Sequence, residues 1–212
     1  IMVSVTIETT GTMLLGSDIA SVVNTLGMFP IASLGLNCAT GPVEMAEHIA
    51  YLTRHWRRPV SVIPNAGLPV LVDGKTEYPL GPRPFADAMK RFIEDMGVSI
   101  VGGCCGTTPA HIEKLAELVD GRSPQPRKLE PQAPGCSSLY GFTEFKQDNS
   151  FLIVAERTNA NGSRRFKRLL DEEDWDGLVS MAREELRGGA HLLDVCVDFV
   201  GRDGAQDMAE LA

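Results

Sequence analysis

Thiols are the side chains with the most chemistry to offer here, and three of the five cysteines stand in patterned places. Cys38 closes the apolar run Ile31-Ala-Ser-Leu-Gly-Leu-Asn-Cys38. Cys104 and Cys105 follow Val98-Ser-Ile-Val-Gly-Gly103, and Gly106 comes next. Glycines at such a point let the backbone turn sharply and pass close to a ligand. In a parallel α/β fold the carboxyl ends of the strands open on one face, so thiols 66 residues apart can meet there. Three thiolates suit zinc, which favours soft sulfur in a tetrahedral arrangement, and they leave one position for a substrate thiol. Two other readings stand beside this one: small buried hydrophobes, or a redox-active disulfide strained between neighbours. Asn65, at the exit of Pro59-Val-Ser-Val-Ile-Pro64, either offers an amide to a ligand or forms a turn with Gly67. His48 and His55, beside Arg54, Arg57 and Arg58, read as solvated or packed, and His111 and His191 show no metal-ligand spacing.

A second polar group follows residue 150. Glu156 and Asn159 come after one apolar run, Phe151-Leu-Ile-Val-Ala155, and Asp194 and Asp198 close the next. A carboxylate and an amide at adjacent strand exits match the donor and acceptor edge of a heterocycle. The alternative is that these groups cap helices or pair with Arg157 and Arg164. Gly201-Arg-Asp-Gly204 is turn chemistry and has the wrong spacing for a phosphate loop.

The elements that must position these groups alternate regularly. Strands are expected at 3–9, 31–38, 59–64 and 98–103, with helices at 17–26, 43–57, 83–96 and 109–119. Asp73-Gly74, between Pro-Val-Leu-Val and Lys-Thr-Glu-Tyr, is a hairpin signal. Strand and helix four times over is a parallel α/β pattern, in either a barrel or an open sheet. Between Asp120 and Gly135 repeated prolines read as an extended linker. The strand-then-helix order resumes afterwards, with strands at 151–155 and 190–195 and helices at 174–187, capped by Asp174, and from Gly204. Four units are half a barrel, so the pattern is expected to be cut at both ends.

The bulk numbers agree with a soluble globular protein: 212 residues, 43% hydrophobic, formal net charge −8. The acidic balance argues against nucleic acid or an anionic membrane as partner. No apolar run approaches the roughly 20 residues that span a bilayer. An odd cysteine count with no disulfide framework fits a reducing, cytoplasmic setting.

Taken together, Gly35-Leu-Asn-Cys-Ala-Thr-Gly-Pro42, Pro64-Asn-Ala-Gly67 and Gly102-Gly-Cys-Cys-Gly-Thr-Thr-Pro109 resemble the zinc-binding half of a homocysteine-binding barrel. Glu156-Arg-Thr-Asn-Ala-Asn-Gly-Ser163 and Leu193-Asp-Val-Cys-Val-Asp-Phe-Val-Gly-Arg-Asp-Gly204 resemble the opening of a pterin-binding barrel. In this order the two are similar to the cobalamin-dependent methionine synthase family. The resemblance implies an α/β fold: residues 1–120 as the C-terminal half of a (β/α)8 TIM-type barrel, 121–147 as a linker, and 148–212 as the first units of a second such barrel. It also implies zinc on Cys38, Cys104 and Cys105, homocysteine bound there with Asn65 among its contacts, and 5-methyltetrahydrofolate contacted by Glu156, Asn159 and Asp194. Cobalamin would be held by a module absent from this chain, and the isolated chain is expected to be inactive, with exposed strand edges. Cys196 stands where many relatives carry Asn. A homocysteine methyltransferase using another methyl donor would share the sulfur site without needing the second block; a structural zinc or scaffold module would share it without catalysis.

Overall fold

Short apolar, β-branched runs alternate with amphipathic helices, three of the four led by proline, through the first 119 residues, and this alternation folds into a parallel sheet packed against helices. The structure, a computed structural model, describes residues 1–212. It divides into two units, Ile1–Phe142 and Thr143–Ala212. In the first, the order is β1 (Met2–Val5), α1 (Ile19–Leu26), β2 (Ser33–Asn37), α2 (Pro42–His55), β3 (Val60–Ile63), β4 (Val70–Val72), β5 (Lys75–Glu77), α3 (Pro82–Glu94), β6 (Ile100–Val101) and α4 (Pro109–Val119). A short strand β7 (Gly135–Ser137) follows, and β8 (Phe142–Glu144) straddles the division.

The sheet runs β1-β2-β3-β6 with every pairing parallel. Its register aligns Leu34 with Val60 and Leu36 with Val62. All four are fully buried, each adding on the order of 1.5–3 kcal/mol by removing its side chain from water. Side chains alternate across a strand, so the neighbouring row, Ser4, Gly35 and Ser61, lines the other face. There Ser4 donates to the Asn37 side chain at 2.8 Å. Helix α3 shows why helices cover the first face: Phe85, Met89, Phe92 and Ile93 fall on one stripe and are buried. The architecture is thus mixed α/β, with a parallel sheet that is open, four-stranded, and bounded by the edge strands β1 and β6.

The strands are shorter than the apolar runs suggest, and the sheet's last strand keeps only Ile100 and Val101. Gly102 still donates to the Val62 carbonyl at 3.1 Å, and the chain beyond it leaves the ladder to form the cysteine loop. The Asp73-Gly74 hairpin forms as expected, with β4 antiparallel to β5 and both turn residues at positive φ, 48° and 74°.

Part of the proline-rich segment lies along the first unit and satisfies its helix ends. The last carbonyls of a helix lack internal donors. Arg127 supplies them, donating to the Thr53, Trp56 and Arg58 carbonyls at 3.3, 2.9 and 2.8 Å. The Glu130 amide donates to Arg54 at 2.9 Å. Gln132 reaches the Ala20 carbonyl at 2.8 Å and the Tyr51 hydroxyl at 3.1 Å.

The second unit contains β9 (Val154–Ala155), α5 (Arg164–Asp171), α6 (Trp175–Arg187), β10 (Leu192–Leu193) and α7 (Gly204–Leu211), with β9 and β10 parallel. Phe166, Leu169, Leu170, Leu178, Met181 and Val197 form its core. Asp174 caps α6 by accepting from the Gly177 amide at 2.9 Å. Helix α5 is absent from the sequence-based expectation: Arg164, Arg165, Lys167 and Arg168 dilute its apolar stripe, which is only Phe166, Leu169 and Leu170. No helix is long and apolar enough to cross a membrane.

Candidate functional site

Cys38 leaves β2 into a backbone that L-residues avoid. Cys38 and Ala39 both sit in the left-handed region, at φ 59° and 58°, a conformation that costs of order 1–3 kcal/mol at each such residue and persists only where the surroundings hold it. They do hold it. The Cys38 amide donates to Ile63 at 3.1 Å and the Asn65 amide to Thr40 at 3.0 Å, so the ends of β2 and β3 are stitched together. The loop after β6 is stitched to the same place: the Cys104 amide donates to Pro64 at 2.8 Å, and the Ala66 amide to the Cys105 carbonyl at 2.9 Å.

These bonds bring the three thiols together. Sγ of Cys38 lies 3.7 Å from that of Cys105, and Cys104 lies 3.9 Å from Cys105. All three sulfurs fall within 4.8 Å of one another. Sulfurs bound tetrahedrally at ~2.3 Å from zinc stand about 3.8 Å apart. The spacing therefore fits a shared ion, and no fourth Cys, His, Asp or Glu joins the group. All five cysteines are free thiols, so the vicinal disulfide is not formed here. Nor is the trio buried apolar filler, since Cys105 is exposed and the other two are half-buried.

The three thiols are not equivalent. The Ala39 amide, directed at the Cys38 sulfur, lowers that thiol's pKa against the opposing effect of burial. Burial, reinforced by hydrogen bonding with Cys38, pushes Cys104 up to about 11. Cys38 and Cys105 each precede a helix by four residues, at Pro42 and Pro109, and helix N-termini favour nearby negative charge.

Asn65 is buried, and its side-chain oxygen accepts from the Cys105 amide at 3.1 Å. Its side chain also helps lower the Cys38 thiol's pKa. Asn65 therefore ties the two cysteine loops to each other. Two further residues had no signal in the sequence. His111 is buried on α4, where Nδ1 accepts from the Thr108 amide at 3.1 Å and Nε2 donates to the Leu80 carbonyl at 2.9 Å. Tyr78, just past the hairpin, packs its ring on Gly106 beside the cysteine loop, where the nearby Cys105 thiol raises the phenol's pKa.

In the second unit, Asn159 donates to the Asp194 carboxylate at 2.9 Å, so two of the sequence-selected residues do meet. Thr158, buried and not singled out by sequence, donates to the Asp194 carbonyl at 2.6 Å. Asn161 donates to the Asp198 carbonyl at 3.0 Å and lies 3.6 Å from the Cys196 sulfur. Glu156 is exposed at the end of β9. Arg157 pairs with Glu185 at 3.1 Å rather than with either selected carboxylate.

Comparison with known proteins gives the chain's relatives. The family model for homocysteine S-methyltransferase matches residues 1–119. A methionine synthase of Mycobacterium tuberculosis is 52% identical over 208 residues, 98% of this chain but 17% of that protein. A methionine synthase of Mycobacterium leprae is 50% identical over 216 aligned positions, covering all of this chain and 18% of that protein. The chain thus spans under a fifth of the length of these relatives. With the family match covering more than half of its residues and all three clustered thiols, the chain belongs to the homocysteine S-methyltransferase family.

Proposed function

We propose that this chain is the homocysteine-activating and folate-facing segment of a cobalamin-dependent methyltransferase of the methionine synthase type. The observation that carries the reading is the convergence of the Cys38, Cys104 and Cys105 sulfurs from two strand exits within 4.8 Å. These three would hold zinc, and its Lewis acidity when bound stabilises an incoming homocysteine sulfur as the thiolate, the nucleophilic form. The chain's own part is to keep the sulfurs converged and one side open. Asn65 fixes the Cys105 amide, and the strained Cys38-Ala39 turn aims the first sulfur inward. Cobalamin, held by another module of the full-length protein, supplies the methyl carrier, and no residue of this chain is assigned to it.

On the folate side, Glu156, Asn159 and Asp194 offer acceptors and an amide at the exits of β9 and β10, suited to the polar edge of the pterin of 5-methyltetrahydrofolate. The fold accompanying this reading is the C-terminal half of a (β/α)8 barrel over residues 1–120, a linker over 121–147, and the start of a pterin-binding barrel over 148–212. The unpaired edges of β1 and β6 suit strands added on either side. A reducing cytoplasm would keep the thiols free.

X-ray absorption on the full-length protein tests the reading. The zinc shell should hold three sulfurs and one lighter atom, and added homocysteine should convert it to four sulfurs. Cys104→Ser should lower bound zinc from one per chain to less than a tenth of that. A shell unchanged by homocysteine overturns catalysis at this centre in favour of a structural zinc.

A further inference from the structure

The exits of β9 and β10 are tied together by direct hydrogen bonds. The Asp194 backbone is held on both sides: its amide donates to the Ala155 carbonyl at 2.7 Å, and its carbonyl accepts from the Thr158 hydroxyl at 2.6 Å. The chain after β9 then folds back on Asn159. The Asn159 side-chain oxygen accepts from the Asn161 amide at 2.9 Å and from the Gly162 amide at 3.3 Å. Its side-chain nitrogen donates to Asp194 Oδ2 at 2.9 Å. A backbone N–H only donates and a carboxylate only accepts, so these partners admit one orientation of the Asn159 amide. Asn161 also reaches the other loop, donating from its side chain to the Asp198 carbonyl at 3.0 Å, with the Cys196 sulfur 3.6 Å away. One residue thus orients Asn159 through its backbone and holds the chain after β10 through its side chain.

These bonds leave two groups free. The Asn159 oxygen is occupied twice, but the nitrogen keeps one hydrogen unused, and Asp194 keeps Oδ1. Asp194 is exposed and Asn159 half-buried, so a ligand can reach both side chains. We propose that Asn161 is a positioning residue that fixes the hydrogen-bonding order of this rim: position 159 only donates to a ligand and position 194 only accepts. The ligand class is then a ring edge with an acceptor next to an N–H, as in the carbonyl and adjoining N3–H of a reduced pterin. The inference rests on the folate-facing reading above and adds to it the direction of each bond and the residue that sets it. An edge in the opposite order leaves donor facing donor and acceptor facing acceptor, and a site built to pair polar groups rejects a ligand that leaves them unpaired.

The test measures equilibrium binding of 5-methyltetrahydrofolate, and of the same folate methylated at N3, to the full-length protein, with thermal unfolding of each variant as a control on folding. Wild type should prefer the unmethylated folate by at least about 100-fold, because methylation removes the N–H that position 194 accepts. The double variant Asn159→Asp/Asp194→Asn keeps an oxygen under the two backbone amides and an amide–carboxylate bond between the positions, but reverses the order they present. It should unfold with wild type and bind 5-methyltetrahydrofolate at least about 100-fold more weakly. Asn161→Ala keeps the backbone amide and removes the side-chain hold. It should bind about three- to tenfold more weakly and narrow the preference between the two folates, which a merely structural contact would leave unchanged. If wild type binds both folates alike, or the double variant binds as wild type does, the order is not read and the proposal fails with the folate-facing reading intact. If Asn161→Ala changes neither affinity nor preference, Asn161 is only a loop contact and the proposal fails in the same way. If wild type binds neither folate, the folate-facing reading fails and this inference with it.

Discussion

The side chain of Asn65 works on both cysteine loops at once: its oxygen accepts from the Cys105 amide, and its presence helps lower the Cys38 thiol's pKa. An apolar replacement of similar size removes both interactions. Asn65→Leu should destabilise the protein by about 1–3 kcal/mol, the cost of leaving a polar partner unpaired, read by urea denaturation, and should weaken zinc binding as well. The thiols themselves make metal uptake depend on pH. With its pKa pushed to about 11, Cys104 carries its proton throughout the neutral range, and binding must expel that proton. Affinity must therefore rise with pH and fall as acid is added, by about tenfold per unit for each proton released. Chelator competition at pH 6.5 and 7.5 measures it, and a flat response would exclude protonated thiols as the resting ligands. The cysteines were legible in the sequence because thiols at two strand exits of a parallel fold share one rim. The role of Asn65 was only half legible, since its position follows from the same rule but its partners do not. Tyr78 was not legible, because it reaches the rim from an excursion whose path no periodicity encodes.

Helix α4 shows how an element joins distant parts of the site. Its bounds, Pro109–Val119, coincide with the sequence expectation, because Thr-Thr-Pro supplies both a cap and a first-turn proline. What the pattern hides is that His111, three residues after the cap, links the helix start to the Leu80 carbonyl. A neutral imidazole, accepting at Nδ1 and donating at Nε2, satisfies both bonds, so this histidine is structural and not a ligand. His111→Ala leaves the Thr108 amide and the Leu80 carbonyl unpaired and empties a buried ring position. The expected cost is about 2–3 kcal/mol, measured by urea denaturation. Because the Leu80 amide donates to the Ala66 carbonyl at 2.9 Å, and the Ala66 amide to Cys105, the same variant should also weaken zinc binding, whereas removal of an unrelated cap, Asp174→Ala on α6, should cost about 1 kcal/mol and leave zinc affinity unchanged. Helix α5 was missed for the opposite reason to α4: four basic residues leave its period with three apolar points, and tertiary packing of Phe166 and Leu170 decides the conformation.

For the chain as a whole, composition and structure divide the molecule at different places. Repeated prolines put the least ordered stretch between Asp120 and Gly135, yet much of that stretch is hydrogen-bonded to the first unit. Arg127 closes the end of α2, Glu130 and Gln132 bond Arg54, Ala20 and Tyr51, and the Asn24 side chain donates to Ser137 at 2.8 Å. Prolines have no N–H to offer, so the donors to these orphan carbonyls are the Arg127 guanidinium, the Glu130 backbone amide and the Gln132 side-chain amide between them. Beyond Phe142, by contrast, Phe145, Asp148, Asn149, Ser150 and Phe151 are exposed, Phe151 by 90%. Proteases cut where backbone is exposed and free to open locally. Limited proteolysis of the chain with a low-specificity protease should therefore cleave first at residues 145–151, and mass spectrometry should find a first fragment that keeps the strap. Arg127→Ala, which frees the end of α2, should open a second site near residues 123–130 and speed cleavage there several-fold. Early cleavage of the unaltered chain within 123–134 would mean that the strap's hydrogen bonds do not hold it, and that the proline-rich stretch behaves as its composition alone suggests.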